Sequence, residues 1–368
     1  MIVVIYGKDY TKNTYEALAA SDILTYLKPG MSAAIKPNLV VPGPASNGAT
    51  THPEVVEGII LFLKDHGITD MKIIESSWVG DSTKRAFKYC NYEPLSDKYG
   101  IPLIDLKSDS ATTLNYGGNE YKINNEALKT DFLINVPVMK AHCQTLFTCC
   151  MKNLKGCIPD SEKRRYHTLG LHKPIVELNM LLKTGYNVVD GICGDLSFEE
   201  GGNPVESNRI IVGRNPLAVD SYCAELIGYK PDEIGYLSYG KKLGLGETGD
   251  GSLSYSQDRE PSPVSPPLIE LNADEKPVHV SVDEPVAKKY AHLIDEDAAC
   301  SACYSSLIYA LHKTEKNRQS GKIHIGQGFK GRSGEGISVG DCARGFAKNV
   351  PGCPPKATDI TELLNRQG

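Results

Sequence analysis

The sequence has no long apolar run and no leader-like start, and both absences bear on where the protein works. No apolar stretch reaches the roughly 18 residues of a membrane-spanning helix. The N-terminus, MIVVIYGKDY, lacks the basic segment, long apolar core and small-residue cleavage site of a secretory signal peptide. We therefore expect a cytoplasmic protein that does not associate with membranes.

The sequence also lacks an excess of positive charge. Its 40 Lys and Arg residues are outnumbered by 45 Asp and Glu residues, which gives a formal net charge of −5. Because general nucleic-acid binders are more often basic, nucleic acid is not an expected partner. With 368 residues, of which 40% are hydrophobic and 23% charged, the chain has the composition of a globular protein of two or three domains.

The number of cysteines is odd, since the chain has eleven. In a reducing compartment such a number argues against a disulfide framework, so the thiols are candidates for core residues, metal ligands or catalytic groups. Four crowd the segment 143–157, but they lack a Cys-x-x-Cys pair, which disfavours a metal cluster there. The scattered Cys90, Cys193 and Cys223 are interpreted as small buried residues.

Short apolar segments alternate with amphipathic ones in the first part of the chain. Strands are predicted at 2–6, 32–38, 71–75, 131–137, 187–191 and 209–213. Helices are predicted at 14–27, at 53–66, at 145–154 and from Asn215-Pro216 to about Ile227. This alternation predicts an α/β fold with a mostly parallel sheet and flanking helices.

The composition changes near residue 250. The segment 258–267 carries four prolines in ten residues, which predicts a linker or an extended surface crossing, with a rigid loop inside one domain as the alternative. Residues 278–282 are a candidate edge strand. We therefore expect an α/β domain over 1–250, a proline-rich linker or crossing over 251–286, and a small cysteine-rich metal-binding segment over 287–368.

Four cysteines of that last segment have the distribution of metal ligands: Cys300, Cys303, Cys342 and Cys353. A Cys-x-x-Cys pair lets two thiolates reach one metal centre, and two distant cysteines complete the set. A helix predicted just after Cys303 would direct its positive end at the centre, and glycines between 326 and 340 would bring backbone N–H groups close. The pattern favours an iron–sulfur cluster, most simply one [4Fe–4S] cluster. Structural zinc is the alternative.

Polar residues follow several predicted strands where these end. In an open α/β sheet the carboxyl ends of parallel strands meet at one edge, where ligands bind. Substrate-binding residues predicted there are Lys36, Asn38, Lys152, Asn153 and Lys155, and catalytic residues are Lys140, His142, His167 and Asp190. Lysines and amides suit a carboxylate or phosphate, and a histidine beside lysines stays neutral, as a general base must. The alternative for each lysine is a solvated surface position.

Several short elements occur here in a recognisable order. They are Lys-Pro-Asn at 36–38, Asn-x-Pro-x-x-Lys-x-His at 135–142, Lys-Asn-x-Lys-Gly at 152–156, Asp-Gly at 190–191 and Asn-Pro-x-Ala-x-Asp at 215–220. Over about residues 1–245 the chain resembles the uncharacterised family catalogued as domain of unknown function 362. Many relatives carry a ferredoxin-like iron–sulfur segment at the C-terminus. The resemblance therefore implies such a segment here, with one cluster instead of two because only one Cys-x-x-Cys is present.

Two functions of different classes follow. The first is an iron–sulfur redox enzyme that holds a small anionic substrate and receives electrons from a donor such as a ferredoxin or flavodoxin. The second is an electron-transfer or regulatory protein without catalysis, and a zinc-stabilised binding module is a third. Convergence of polar groups at strand ends favours the enzyme. An enzyme further predicts that the tail folds back over the strand ends, with the glycine-rich stretch 326–340 between the cluster and Lys140 and His142.

Overall fold

The computed structural model describes residues 1–247, 253–254, 266–277, 285–314 and 321–366. Its strands are β1 (Ile2–Tyr6), β2 (Ala33–Pro37), β3 (Met71–Glu75), β4 (Leu103–Asp105), β5 (Ala111–Tyr116), β6 (Asn119–Asn124), β7 (Phe132–Val136), β8 (Lys140–His142), β9 (Leu146–Thr148), β10 (Tyr186–Asp195), β11 (Pro204–Gly213), β12 (Gly246–Glu247), β13 (Leu253–Ser254), β14 (Leu268–Leu271), β15 (Ile294–Glu296), β16 (Ile323–Ile325), β17 (Ser333–Val339) and β18 (Gly345–Val350).

The α-helices connect and flank these strands. They are α1 (Tyr10–Ala19), α2 (Pro53–Asp65), α3 (Thr83–Tyr89), α4 (Glu93–Tyr99), α5 (Asn125–Leu128), α6 (Cys150–Asn153), α7 (Asp160–Thr168), α8 (His172–Leu181), α9 (Pro216–Leu226), α10 (Gly235–Lys242), α11 (Val286–Tyr290), α12 (Ser301–Lys313) and α13 (Ala357–Asn365). None of the helices in the described part of the chain is both long and apolar enough to cross a membrane.

The main sheet has eight strands in the order β14-β1-β11-β10-β7-β2-β3-β4. Every strand runs in one direction except β11, which is antiparallel to both of its neighbours. This confirms the predicted α/β fold class. The chain moves outward from β2 to β3 and β4, then returns to β7 on the other side of β2, and such a reversal opens a crevice at the carboxyl ends of the strands.

Helices cover both faces of this sheet, because successive strand residues point to opposite sides. Ala34 and Ile74 belong to a core cluster with the apolar sides of α8, α9 and α10. Their neighbours Ile35 and Ile73 belong to a second cluster with α1 to α4. Burying each large aliphatic side chain stabilises the fold by about 1.5–3 kcal/mol, so both apolar faces hold the strand ends in fixed positions.

Two local predictions were wrong. The segment predicted as one helix over 145–154 is instead the β8–β9 hairpin followed by the single turn of α6. Leu146, the first residue of β9, adopts a positive φ of 66°, a backbone conformation that a helix cannot contain. The helix predicted over 14–27 ends at Ala19, and a short 3-10 turn follows at Ile23–Thr25.

The tail forms its own four-stranded parallel sheet in the order β15-β16-β17-β18, packed against α12 and α13. It folds back onto the main domain, since the Gln144 side chain donates to the Ala299 carbonyl at 2.9 Å and Gln327 donates to the Arg164 carbonyl at 2.9 Å. Part of the predicted linker is the edge strand β14, which pairs with β1. Residues 258–265 and the candidate strand at 278–282 lie outside the described residues.

Candidate active site

A cavity of about 130 Å³, which we call the lysine cavity, opens at the carboxyl ends of β2 and β3. Its lining includes one predicted catalytic residue, His167, and all five predicted substrate-binding residues: Lys36, Asn38, Lys152, Asn153 and Lys155. Lys140, His142 and Asp190 are not part of this lining. The tail closes one side through residues 300–303 and 353–354. Residues far apart in the sequence therefore meet at the edge that the strand ends predict.

Lys36 is fully engaged within the protein. Its Nζ lies 2.8 Å from Glu75 Oε2, 2.7 Å from the Pro37 carbonyl oxygen and 3.1 Å from Asn153 Oδ1. A Cβ at Gly156 would collide with both members of this buried ion pair, so the glycine of Lys-Asn-Leu-Lys-Gly is required for the close approach. Lys36 thus organises the cavity floor instead of offering a free charge to a substrate.

Glu199, which the sequence did not single out, contacts two further lysines, one through its carboxylate and one through its backbone carbonyl. Its Oε1 lies 2.6 Å from Lys152 Nζ, and its backbone carbonyl accepts from buried Lys140 Nζ at 2.9 Å. Lys140 also donates to Asn38 Oδ1 at 3.3 Å and to the Ala49 carbonyl at 2.6 Å. Lys140 is therefore an internal brace behind the cavity wall, and Lys152 reaches the cavity already paired.

His142 lies beside this same carboxylate. Its Nδ1 accepts from the backbone N–H groups of Gln144 and Thr145 at 3.0 and 3.1 Å, so the ring proton sits on Nε2, 3.0 Å from Glu199 Oε2. Burial lowers the pKa of His142 to about 4 despite the Glu199 charge. Because the basic nitrogen is already occupied, the geometry favours a positioning role over the proton transfer predicted for it.

Two cationic side chains on the wall of the lysine cavity are unpaired among the residues that the structure describes. The Lys155 amine and the Arg164 guanidinium have neither a hydrogen bond nor an ion pair to any residue that the structure describes, and both line the lysine cavity. Burial, together with neighbouring Lys152, lowers the pKa of Lys155 to about 7. These two side chains are the ones available to an anionic ligand.

A carboxyl group with a complementary shift lies in the same cavity. Burial and the nearby Glu199 charge raise the pKa of Glu200 to about 7. A cavity that holds both an amine and a carboxyl group titrating near neutral pH has the donor and acceptor needed for general acid–base chemistry. Neither Arg164 nor Glu200 was predicted, because each gains its significance only from its surroundings.

Two buried polar atoms on the wall lack partners among residues with described positions. They are Trp78 Nε1 and Thr148 Oγ1, and both residues line the lysine cavity. An unpaired buried polar group costs about 1–3 kcal/mol, so such atoms are typical of a site completed by a ligand. His167 is the remaining predicted proton carrier, and its Nε2 accepts from Ser301 N–H at 3.5 Å, while burial and Lys155 hold its pKa well below the usual range.

A second cavity of about 320 Å³, which we call the cysteine cavity, contains all four predicted metal ligands in its lining. Cys300 is the N-cap residue of α12, and Cys303 follows in its first turn, so the helix begins slightly earlier than predicted and directs its positive end at this cavity. Cys342 and Cys353 approach from the loops after β17 and β18. Gly340 also lies close to the thiols, since a Cβ added to this residue would lie 3.9 Å from Cys303 Sγ.

The two cavities share a wall built from Arg164, Cys300, Cys303 and Cys353. The glycine-rich stretch 326–340 lines the cysteine cavity and not the lysine cavity. Its predicted place between the cluster and Lys140 and His142 was therefore wrong. The start of α12, with Cys300 and Cys303, lines both cavities instead.

The spacing of the four thiols bears on which metal they fit. Four sulfurs around one zinc ion lie about 3.8 Å apart, given Zn–S bonds of about 2.3 Å. In the described part of the chain, the one group of three potential ligands whose donor atoms lie within 4.8 Å of one another is Cys149, Cys150 and Asp220. No three of the four tail thiols therefore lie that close together in the described structure, and the metal they would hold stays a prediction.

Asp190 lies away from both cavities. It accepts from the His52 backbone N–H at 2.7 Å, and its Oδ2 lies 2.8 Å from His52 Nδ1. Its predicted role of orienting a partner thus concerns a histidine that the sequence did not single out.

All eleven cysteines are free thiols.

Comparison with known proteins places this site in context. Residues 33–225 match the family described as "Domain of unknown function (DUF362)". A thylakoid-associated protein of Synechocystis is 25% identical over 234 residues, which cover 61% of this chain and 71% of that protein. The family match ends before the tail cysteines, so the iron–sulfur segment stays a prediction.

Solved structures give weaker likenesses. The lactate racemase apoprotein from Thermoanaerobacterium thermosaccharolyticum is 12% identical with a TM-score of 0.42, over 63% of this chain and 57% of that one. A structural-genomics target from Thermotoga maritima is 13% identical with a TM-score of 0.40, over 60% of each chain. The chain thus spans less than two thirds of either protein.

Proposed function

The chain belongs to the family described as domain of unknown function 362, and we propose that this member is an iron–sulfur redox enzyme acting on a small anionic substrate. The observation that carries the proposal is the shared wall: Cys300, Cys303 and Cys353 line both the lysine cavity and the cysteine cavity. A centre held by these thiolates would lie directly beside a bound substrate. A protein that only carries electrons does not need a substrate cavity beside its metal centre.

The charges around the cysteine cavity fit an anionic cluster. Four thiolates give a cluster a net negative charge, which needs nearby cations and N–H donors. Arg164 and Lys330 line this cavity, and the N-terminal end of α12 points at it. When bound, the cluster would supply or accept single electrons. Cys353 is exposed, so an electron donor such as a ferredoxin or flavodoxin would approach at this side.

The chain's own residues would handle the substrate and its protons. Arg164 and Lys155 bind the anion, and Thr148 and Trp78 offer it unpaired polar atoms. Glu200 in its protonated form donates a proton to the substrate, because burial and the Glu199 charge raise its pKa to about 7. The paired Lys36, Lys152 and Glu199 hold this constellation in place. A reducing cytoplasmic location, as the sequence predicts, suits the free thiols.

Metal analysis of the anaerobically purified protein tests the cofactor. We expect about four iron atoms and four sulfides per chain with a broad absorption band at about 400 nm. A colourless protein with about one zinc per chain would select the zinc-stabilised binding module. Protein that holds neither metal would contradict the proposal.

Sulfate titration of the same protein tests the anion site. Lys155→Met should weaken binding about 10- to 100-fold, since a hydrogen bond to a charged group contributes about 1.5–3 kcal/mol. The pKa of Lys155 is lowered to about 7, so its charge is lost as pH rises through that value, while Glu200 becomes charged. The first change removes an attraction for the anion and the second adds a repulsion, so affinity for sulfate should fall between about pH 6 and pH 8.

Lys330→Met is the matched control for this titration, because Lys330 lines only the cysteine cavity. It should leave sulfate affinity within about twofold of the parent protein, whereas Lys155→Met should also flatten the pH dependence. Iron-loaded protein that shows no anion binding at any pH would favour the electron-transfer or regulatory function over the enzyme.

A further inference from the structure

A cysteine, a histidine and an aspartate are aligned outside both cavities. His52 Nδ1 lies 2.8 Å from Asp190 Oδ2, and His52 Nε2 lies 4.0 Å from Cys193 Sγ. This is the order of contacts found where an imidazole activates a thiol and a carboxylate orients the imidazole. We propose that Cys193, held by His52 and Asp190, is a reactive thiolate and a modification site for small hydroperoxides.

The alignment depends on an irregularity in β10. Asp190 and Cys193 are three residues apart, so in a regular strand their side chains would point to opposite faces of the sheet. The β10–β11 pairing shifts register between Gly191 and Cys193. Such a bulge redirects side chains, and here it lets both residues reach the same imidazole.

The imidazole itself is fixed from two directions. Its residue directly precedes Pro53 at the N-terminus of α2, and its backbone N–H donates to Asp190 Oδ2 at 2.7 Å. The other carboxylate oxygen of Asp190 accepts from the Ile192 N–H at 3.0 Å. The carboxylate is therefore anchored by backbone donors, and the histidine side chain has one orientation to adopt.

The balance of charge favours an imidazolium. Burial alone would lower the pKa of His52, but the Asp190 carboxylate outweighs it and raises the pKa to about 10. The ring is consequently protonated at neutral pH. A cationic ring in contact with a cysteine sulfur stabilises the thiolate, which is the nucleophilic form.

Other ionisable groups face this cluster from neighbouring elements: Tyr10 on α1, Glu54 on α2, and Glu206 and Arg209 on β11. Glu206 pairs directly across from Cys193, and its charge opposes a thiolate. Its side chain is 72% exposed and lies 3.9 Å from Lys8 Nζ, so solvent and counter-charge screen it. The imidazolium, in contrast, is buried and contacts the sulfur directly.

Access limits what this thiolate can react with. Cys193 is 5% exposed and the His52 side chain 12%, which admits a small oxidant but no peptide or acyl substrate. The thiolate would attack one oxygen of hydrogen peroxide, forming an S–O bond and breaking the O–O bond. The leaving hydroxide takes the proton from His52 Nε2 to become water. Sulfur is oxidised to a sulfenic acid and the peroxide is reduced, and an external thiol would reverse the change.

The pH dependence of alkylation tests the thiolate. For an ordinary thiol with a pKa of about 8.5, the rate with iodoacetamide rises roughly 70-fold between pH 6 and pH 8. We expect less than about a threefold rise for Cys193, measured on its peptide by mass spectrometry of the full-length protein. The ratio compares the alkylation rate of the same thiol at two pH values, so restricted access lowers both rates equally and leaves the ratio unchanged. Hydrogen peroxide should also yield a dimedone-trapped sulfenic acid at Cys193.

His52→Gln should restore the ordinary rise and suppress the sulfenic acid. His66→Gln is the matched control, since His66 follows the other end of α2 and bonds to the Phe62 carbonyl oxygen instead of a thiol. A roughly 70-fold rise for Cys193 in the parent protein would overturn the proposal. So would the absence of any peroxide adduct there, and both are read without a variant. This inference does not rest on the proposed redox function.

Discussion

Replacing Cys300 with alanine should remove the proposed metal centre almost completely. Cys300 is the N-cap residue of α12 and lines both cavities, so its loss would take away a proposed ligand at the point where the tail meets the main domain. Three remaining thiolates would bind a cluster only weakly. The tail would then also lose the stability that metal binding gives to its folded form. Iron content per chain and absorbance at about 400 nm in anaerobically purified protein provide the measurement.

Alanine variants of the other three ligands should behave alike. Cys90→Ala is the matched control, because Cys90 is equally a cysteine but is buried in the main domain, with its Sγ bonded to the Val41 carbonyl oxygen. It should keep its full iron content. Full iron occupancy in Cys342→Ala would remove that residue from the ligand set. Iron loss in Cys90→Ala matching that of the ligand variants would attribute the effect to general destabilisation.

Lys36→Met should destabilise the main domain by about 3–5 kcal/mol, because it leaves the Glu75 carboxylate buried without its cation. Lys36 and Glu75 side chains are 1% and 3% exposed, and their charged atoms lie 2.8 Å apart. Restoring charge neutrality should recover part of the loss, so the double variant Lys36→Met, Glu75→Gln should be more stable than Lys36→Met alone. Chemical denaturation followed by circular dichroism measures both.

Lys72→Met provides the comparison on the adjacent strand. Lys72 pairs with Glu126 at 2.7 Å, but the two side chains are 19% and 35% exposed, and pairs near the surface contribute about 0–1 kcal/mol. If Lys36→Met costs no more than Lys72→Met, the buried pair is not the structural brace described above, and Lys36 becomes a candidate substrate ligand again.

The distinction between bracing and binding lysines marks the limit of what sequence could predict about the site. No feature of the sequence separates the four lysines near the predicted strand ends, Lys36, Lys140, Lys152 and Lys155. Glu75 pairs with Lys36, and the Glu199 carboxylate pairs with Lys152. Lys140 donates to the Glu199 backbone carbonyl, and these contacts join residues 39 to 59 positions apart. Of these four lysines, Lys155 alone has no such partner among the residues that the structure describes. Arg164 joins it as a second cation of the cavity lining that is unpaired among those residues, and Glu200 joins it because burial and the Glu199 charge raise its pKa.

Local patterns determined the elements and indicated the ligand types. Apolar runs specified β1, β2, β3 and β7, since such runs bury both faces of a parallel strand, and glycine or proline ends three of them. Four tail cysteines near glycines indicated a metal site because their chemistry is local. Tertiary structure decided what depends on packing between distant segments: the docking of the tail, the wall shared by the two cavities, the pairing of charges, and the β10 bulge that joins Asp190, His52 and Cys193. A sequence records which groups are present, whereas distance and burial decide which of them interact.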